Sequence, residues 1–244
     1  MWDGEDRLVR LGPDDPGSAF FMYDADGLLR WKRAGIVSTR LLWDGQNVLR
    51  ASYADGIGDV DYTWTPDVYG SLISRRHADD SHFCHFDALG STTELTGADE
   101  TQTDRYRYYA FGEIAAWSGS TLLPFRFVGR LGYYDGLVPG LLYLRARWYQ
   151  PATGRFTSRD PLGSALRGSP GAGRYAYVAN KPVGTADPTG LVTYVELVGA
   201  CVVAIVLLSM VMGLADCLAT IVHFLDRILA DRASSSCPED TGAK

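Results

Sequence analysis

A short motif built from an aromatic residue, an aspartate and a glycine recurs through the first half of the chain. Its clearest copies are YDADG at residues 23–27 and FDALG at residues 86–90. Successive copies lie 21, 20, 23, 20 and 23 residues apart, a spacing that fits one β-hairpin per copy. With drift, the full set of copies is Trp2-Asp3, Tyr23-Asp24, Trp43-Asp44, Pro66-Asp67, Phe86-Asp87 and Tyr109-Ala110.

The residue types of each copy suit a hairpin. The aspartate can accept hydrogen bonds from backbone amides in a tight turn, and glycine reaches the positive φ that such a turn needs. Flanking residues alternate in polarity, as in residues 105–109, which is typical of strands with one buried face. Repeats of this kind stack, each burying its face against the next. We therefore predict a mainly β chain whose residues 1–122 form antiparallel hairpins in a curved open sheet.

Composition narrows the possible functions. The 244 residues carry a net charge of −6, which gives no general attraction to nucleic acid. The four cysteines, at positions 84, 201, 217 and 237, contain no Cys-x-x-Cys pair, so neither a zinc site nor a disulfide framework is expected. The acidic N-terminus, residues 1–6, lacks the basic and apolar regions of a signal peptide.

A second motif, Asp-Pro-x-Gly, occurs twice after the repeats, beginning at Asp160 and Asp187. The proline fixes φ and the glycine permits chain reversal, so each motif aims its carboxylate in a defined direction. Two facing carboxylates can share one proton, because like charges at close range cannot both ionise cheaply. This pairing is the chemistry of an aspartyl protease and makes both aspartates candidate catalytic residues.

Residues 85–191 carry a longer, ordered set of motifs. The set includes PFRFVGR at 124–130, GLLYLRARWY at 140–149, GRF at 154–156 and YAYVANKP at 175–182. Together with the repeats, it resembles the Rhs/YD-repeat proteins and their repeat-associated core domain, a family that includes bacterial polymorphic toxins and the C components of insecticidal toxin complexes. The resemblance implies three regions: hairpin repeats at 1–122, a small mixed core domain at 123–191, and a variable C-terminal segment at 192–244.

The same resemblance implies an activity. In family members that cleave themselves, the two Asp-Pro-x-Gly aspartates act with an upstream arginine, which matches Arg147 here. The cut falls after the residue that follows the second motif, which gives the Leu191–Val192 bond. One aspartate would act as general base on a water, its protonated partner would donate to the scissile carbonyl, and Arg147 would orient a carboxylate. The alternative is that both motifs only build turns in a core domain that stays uncleaved.

A cluster of potential metal ligands, His82, Cys84 and His85, lies in one predicted strand. On a strand His82 and Cys84 share one face and His85 takes the other, so the three do not converge readily on one ion. We therefore predict neither a bound metal nor a cofactor.

The C-terminal segment differs in composition from the rest of the chain. Residues 197–215 contain 19 residues without a charge, and as a helix they would span about 28 Å, close to the hydrocarbon core of a membrane. A transmembrane span within one long C-terminal α-helix is predicted, with a helix hidden in the repeat shell or in a partner as the alternative. The chain would then be membrane-associated and single-pass, or else secreted or displayed at the cell surface by a non-classical route.

Two functions follow from these features. The first is an Rhs-type carrier that cuts itself after Leu191 and releases or presents a hydrophobic, membrane-active C-terminal segment. The second is a non-enzymatic, membrane-anchored repeat protein for binding or display, which includes a fragment of a larger Rhs protein. The expected partners are the membrane through residues 197–215, another repeat chain or an immunity protein, with no nucleic acid and no small-molecule cofactor.

Overall fold

The computed structural model describes residues 1–13, 17–136, 140–161 and 173–191. Within them the chain forms two antiparallel sheets, one of eleven strands and one of four. The first sheet comprises β1 (Arg10–Leu11), β2 (Ala19–Tyr23), β3 (Leu29–Ala34), β4 (Val37–Asp44), β5 (Asn47–Tyr53), β6 (Gly58–Trp64), β7 (Leu72–His77), β8 (Asp80–Phe86), β9 (Thr92–Thr96), β10 (Gln102–Tyr108) and β11 (Ile114–Ser118). The second comprises β12 (Tyr134–Asp135), β13 (Leu142–Leu144), β14 (Arg147–Gln150) and β15 (Arg155–Phe156).

Each strand of the first sheet pairs only with its neighbours in sequence, in the order β1 to β11. Short connections impose this order, because two strands joined by a few residues pair antiparallel as a hairpin. In the described part of the chain, β1 and β11 are therefore the two edges of the sheet.

Aspartate and glycine build several of the hairpin connections. Asp24 Oδ1 accepts the backbone N–H of Leu28 at 2.9 Å, and the N–H of Gly27 donates to the Asp24 carbonyl at 3.1 Å. Gly27 has a φ of +80°, which a residue with a side chain adopts only at a cost. An aspartate and a positive-φ glycine together thus close the turn.

An aromatic residue marks a bulge near the end of a strand in five hairpins. The pairing register shifts beside each of these residues, which are Tyr23, Trp43, Trp64, Phe86 and Tyr108. Two of them correct the alignment of repeats made from the sequence. The aromatic position is filled by Trp64 instead of Pro66, and by Tyr108 instead of Tyr109.

Four of these aromatic residues also tie their hairpin to the one before it. Each donates a hydrogen bond from its ring N–H or hydroxyl to a backbone carbonyl 14 to 16 residues earlier. The pairs are Tyr23 to Leu8, Trp43 to Leu29, Trp64 to Val48 and Tyr108 to Thr92, at 2.7 to 2.8 Å. Tyrosine and tryptophan suit this position because they combine a large apolar ring with a polar donor.

The region after β11 packs on the buried face of the first sheet through aromatic side chains. Phe125 meets Tyr62 edge-on at 4.8 Å between ring centroids, and Trp148 lies 4.7 Å from Phe21. The indole N–H of Trp148 also donates to the Tyr23 hydroxyl at 2.9 Å. These contacts form one core cluster with buried residues of β2 to β7, β9 and β10.

Helical structure in the described residues is limited to three single-turn 3-10 helices, at Gly129–Leu131, Pro151–Thr153 and Val178–Asn180. The predicted fold class, which ended in a long C-terminal α-helix, is therefore wrong, since this part of the protein is mainly β with one large antiparallel sheet. The apolar stretch 197–215 that carried the prediction lies outside the described residues.

The predicted localisation is corrected for the same reason. None of the helices in the described ranges has the length and apolar character needed to cross a membrane. A single-pass, membrane-associated protein is therefore not supported, and neither is a membrane partner. The apolar run satisfied a length and hydropathy criterion, which indicates only that a helix of that sequence could span a bilayer.

Candidate active site

The three residues that match the self-cleavage motif meet at one buried position. Arg147 Nη2 lies 3.3 Å from Asp160 Oδ2 and 3.8 Å from Asp187 Oδ2. The three side chains retain 2%, 3% and 0% of their full exposure, in that order. Two aspartates that are distant in sequence thus face a single guanidinium nitrogen.

Arg147 reaches this position as the first residue of β14. Its guanidinium donates through Nε to the Gly190 carbonyl and through Nη1 to the Arg174 carbonyl, the latter at 3.4 Å. Its Cζ lies 3.6 Å from the centroid of the Phe156 ring. A buried cation needs partners of this kind, because its removal from water costs several kcal/mol that attraction and hydrogen bonding must offset.

Asp187 occupies a turn that fixes one of its oxygens. Oδ1 accepts the backbone N–H of Leu191 at 3.1 Å and the hydroxyl of Thr189 at 3.0 Å. The N–H of Gly190 donates to the Asp187 carbonyl at 3.3 Å, which closes the turn. With Oδ1 engaged in the turn, Oδ2 is the oxygen that faces Arg147.

Gly190 lets this turn pack against the second sheet. Its φ is +74°, and a Cβ at this position would collide with the Leu144 carbonyl oxygen. Since Leu144 ends β13, only a residue without a side chain permits the turn to approach the strand this closely.

Asp160 is held through the carbonyl of Arg174. The Asp160 N–H donates to this carbonyl at 3.0 Å, and Arg147 Nη1 donates to the same oxygen. One carbonyl therefore fixes both the backbone of the aspartate and the guanidinium beside its side chain. The glycine of this motif, Gly163, lies outside the described residues.

The peptide group just before Leu191, the residue that precedes the predicted cut, is hydrogen-bonded through both its carbonyl and its N–H. In the peptide that joins Gly190 to Leu191, the carbonyl accepts from Arg147 and the N–H donates to Asp187 Oδ1. Two of the three candidate catalytic residues thus contact the backbone next to the predicted scissile bond. The far side of that bond, Val192, lies outside the described residues.

A pair of buried tyrosines lies at the backbone N–H of Asp187. Tyr133 Oη accepts the Asp187 N–H at 2.7 Å and lies 2.9 Å from Tyr177 Oη. Burial raises the pKa of the Tyr133 hydroxyl well above its ordinary value, and the nearby Tyr177 and Asp187 raise it further. Burial also raises the pKa of Tyr177. Both phenols consequently stay protonated and serve as neutral hydrogen-bonding groups.

The arrangement has the elements of paired-carboxylate chemistry. Two carboxylates and one guanidinium would carry a net charge of −1 in a water-excluded site, and a shared proton would bring that charge to zero. A site that holds one proton between two carboxylates can supply both a general base and a general acid.

The second cluster singled out from the sequence does not converge on a common point. His82 is buried and lies 3.2 Å from both Arg75 Nη1 and Thr121 Oγ1, whereas His85 is exposed and contacts Thr96. Burial raises the pKa of the Cys84 thiol to about 12, which disfavours the thiolate that binds metals. Within the part of the chain that the structure describes, no group of three or more His, Cys, Asp or Glu residues could hold a metal ion.

Sequence reasoning missed one arginine of the site. Arg145, two residues before Arg147, is 4% exposed and donates through Nη1 to the carbonyl of Pro188, the residue after Asp187. Its φ of +55° turns the chain between β13 and β14. The only signal in the sequence was the Arg-x-Arg spacing, which does not indicate a contact so distant along the chain.

Several known proteins are similar in sequence to this chain. No family model matches the chain. It is 31% identical over 194 residues to the tRNA3(Ser)-specific nuclease WapA of Bacillus spizizenii, which covers 78% of this chain and 8% of that protein. It is 30% identical over 226 residues to double-stranded DNA deaminase toxin A of Burkholderia cenocepacia, covering 78% and 15%, and 38% identical over 120 residues to toxin protein Tse5 of Pseudomonas aeruginosa, covering 48% and 8%.

Solved structures show a similar fold. The crystal structure of TcdB2-TccC3 without its hypervariable C-terminal region matches with a TM-score of 0.61, and the Photorhabdus luminescens Tc holotoxin pore with 0.62. Both are 20% identical to this chain and cover 78% of it, but only 10% of the matched chain.

These matches bear on the predicted absence of nucleic-acid partners and on the predicted family. Two of the matched relatives are named for action on tRNA or DNA, which weakens the exclusion of nucleic-acid partners from net charge alone. The chain spans less than a sixth of the length of any of these relatives. Taken together, these relatives show that the chain belongs with the Rhs-type polymorphic toxin proteins.

Proposed function

We propose that this chain is the carrier part of an Rhs-type toxin and that it cuts itself after Leu191. Asp160 and Asp187 would share one proton, with Arg147 orienting the pair. The observation that carries the proposal is that both aspartates lie within 4 Å of one Arg147 nitrogen while Asp187 also binds the Leu191 amide. The product would be a repeat-and-core fragment separated from the segment that begins at Val192.

The two aspartates would divide the roles of general base and general acid between them. One carboxylate, ionised, would take a proton from a water that attacks the Leu191 carbonyl carbon, and its protonated partner would donate to the developing oxyanion. Collapse of the resulting diol then breaks the C–N bond to Val192 and returns one hydroxyl proton to the pair, while the amine leaves with the proton that the base took from the water. Because the scissile bond belongs to the same chain, no substrate has to diffuse to the site, which favours even a slow reaction.

A second candidate function rests on the burial of the same residues. All three side chains are nearly inaccessible, and Arg147 binds the carbonyls of Gly190 and Arg174 as well as the carboxylates. The cluster could thus be a structural clamp that holds the second motif in an uncleaved repeat protein for binding or display. In that case the aspartates matter for stability alone, and the chain remains in one piece.

Pulse-labelled synthesis of the full chain distinguishes the two candidates. We expect a fragment whose N-terminus, read by Edman degradation or mass spectrometry, is Val192. Replacing Asp187 or Asp160 by Asn should slow its appearance about 1,000-fold, within the range of acid–base catalysis. Asp87→Asn is the matched control, because Asp87 sits in a similar turn but is exposed, and it should leave the rate unchanged. A wild-type chain that stays intact would refute self-cleavage.

A further inference from the structure

Arg145 connects the second Asp-Pro-x-Gly motif to the eleven-stranded sheet. Its Nη1 donates to the Pro188 carbonyl, and its Nε donates at 2.9 Å to the carbonyl of Gln46 in the connection between β4 and β5. The guanidinium also lies 5.0 Å from the ring centroid of Tyr69, in the connection between β6 and β7. One side chain therefore spans the motif and two turns of the first sheet.

The space around this guanidinium is closely filled. Nη1 makes a second hydrogen bond to the Leu131 carbonyl at 3.0 Å, and a Cβ on Gly132 would lie 2.7 Å from Nη2. Burial lowers the pKa of Arg145 to about 10, so the group remains a cation at neutral pH. A planar cation with several donors fits three carbonyls from three segments, which the single ammonium of lysine cannot do in the same geometry.

The bond to Pro188 bears directly on Asp187. The proline ring restricts the backbone that follows Asp187, so anchoring its carbonyl limits how the aspartate can move relative to Arg147. The N–H of Ala146, next to Arg145, also donates to the Thr189 carbonyl at 3.2 Å. The turn carrying Asp187 is thus held against the segment 145–146, and that segment is held against the first sheet.

We propose that Arg145 is a positioning residue that makes cleavage after Leu191 depend on contact with the folded repeat sheet. The inference rests on the proposed self-cleavage and adds its regulation. When the turns at Gln46 and Tyr69 are in place, Arg145 holds the second motif so that Asp187 faces Arg147. Until the sheet has formed, Arg145 lacks two of its anchors and the carboxylate pair is not aligned. The carrier would therefore cut itself only after its scaffold is complete.

The test compares cleavage rates of full-length chains in pulse-labelled synthesis. Arg145→Ala should cleave about 100-fold more slowly than the wild type, the size of effect expected when a reacting group is displaced by about 1 Å. Arg145→Lys should not restore the rate, whereas added methylguanidinium should partly restore that of Arg145→Ala. Arg105→Ala, which removes an exposed arginine of β10, is the matched control and should cleave at the wild-type rate.

A second variant covers the case in which Arg145→Ala does not fold. Tyr69→Leu removes the aromatic ring that the Arg145 guanidinium contacts in the connection between β6 and β7. It should slow cleavage about threefold, in keeping with the loss of one cation–π contact. Near-UV circular dichroism checks that each variant has its tertiary packing.

The possible results distinguish this inference from the proposed self-cleavage on which it rests. A wild-type chain that stays intact overturns both. A cleaving wild type, together with folded Arg145→Ala and Tyr69→Leu chains that cleave equally fast, overturns the dependence on the sheet alone. A third result also overturns the dependence on the sheet: Arg145→Ala cleaves slowly, methylguanidinium does not change its rate, and Tyr69→Leu cleaves at the wild-type rate. Arg145 would then have a purely structural role.

Discussion

The turn at Asp87 in the repeats and the turn at Asp187 in the core have the same local construction. In both, Oδ1 of the aspartate accepts the N–H four residues later, at 2.8 Å from Ser91 and 3.1 Å from Leu191. In both, a glycine with positive φ donates back to the aspartate carbonyl. The surroundings differ, since Asp87 is exposed whereas Asp187 is fully buried with its second oxygen directed at Arg147.

The comparison separates two things that one short motif can specify. The order Asp-x-x-Gly determines the conformation of the turn, which is a local matter of backbone and side-chain hydrogen bonds. What the carboxylate then does depends on where the turn is placed. At the surface its second oxygen is solvated, but in the core a buried negative charge must be matched by a cation or a proton.

The largest expected effect comes from removing the cation of the buried turn. Arg147→Met leaves two buried carboxylates without their shared guanidinium, and we expect it to lower the free energy of unfolding by about 4 kcal/mol. Arg105→Met, which breaks an exposed pair with Glu94, should cost less than about 1 kcal/mol. Urea unfolding monitored by tryptophan fluorescence measures both. Equal losses in the two variants would mean that burial does not distinguish these ion pairs.

A smaller effect is expected from the glycines of the two kinds of turn. Gly190→Ala should cost about 3 kcal/mol, because a residue in the left-handed region is strained and its Cβ would also collide with the Leu144 carbonyl. Gly27→Ala should cost about 1 kcal/mol, since the same strain arises there with nothing within 4 Å of the added carbon. Thermal unfolding of both variants gives the difference. A Gly27 variant as unstable as the Gly190 variant would contradict the role of packing.

The smallest effect concerns Lys32, a buried lysine of the eleven-stranded sheet. Its ammonium donates to the Gly136 carbonyl and lies 5.1 Å from the centroid of the Tyr134 ring. Burial lowers the pKa of Lys32 to about 7, although Asp135 opposes the shift. Between pH 7 and pH 9 the unfolded chain keeps a proton on this lysine that the folded chain has lost, so stability should rise with pH.

The rise attributable to Lys32 should amount to about 2 kcal/mol from pH 7 to pH 9. Lys32→Met should lack this contribution, whereas Lys181→Met, at an exposed position, should keep the wild-type pH dependence. Urea unfolding at the two pH values is the measurement. If the wild type and Lys32→Met respond identically to pH, then the buried lysine does not titrate in this range.

The sequence predicted local features better than distant ones. The repeat near 20 residues and the Asp-Gly turns predicted hairpins because such turns depend on a few adjacent residues, and the described chain is indeed mainly β. The alignment failed at Pro66 and Tyr109 because an aromatic residue next to the motif, Trp64 or Tyr108, can take its place at the bulge. The apolar run at 197–215 met the length and hydropathy criteria for a spanning helix but lies outside the described residues, and no helix in the described ranges supports the single-pass localisation that was built on it.

For the candidate site, the sequence supplied the residues but not their surroundings. The motif match pointed to Asp160, Asp187 and Arg147, and the structure places them together, while their chemical roles remain proposals. Arg145 and Tyr133 were missed, because their contacts to Gln46 and Asp187 join positions 99 and 54 residues apart. No local pattern reports a contact of that range.

Strand pairing between sequence neighbours alone has a consequence for how such a scaffold changes during evolution. A duplicated hairpin needs only to pair with the hairpins on either side, and the aromatic donor at its bulge supplies the link to the one before. Gene-level gain or loss of a unit therefore leaves the registers elsewhere intact. The core sets the limit, because Tyr143 and Trp148 bind particular residues, Leu29 and Tyr23. The number of hairpins can therefore change only among hairpins that make no such contact with the core.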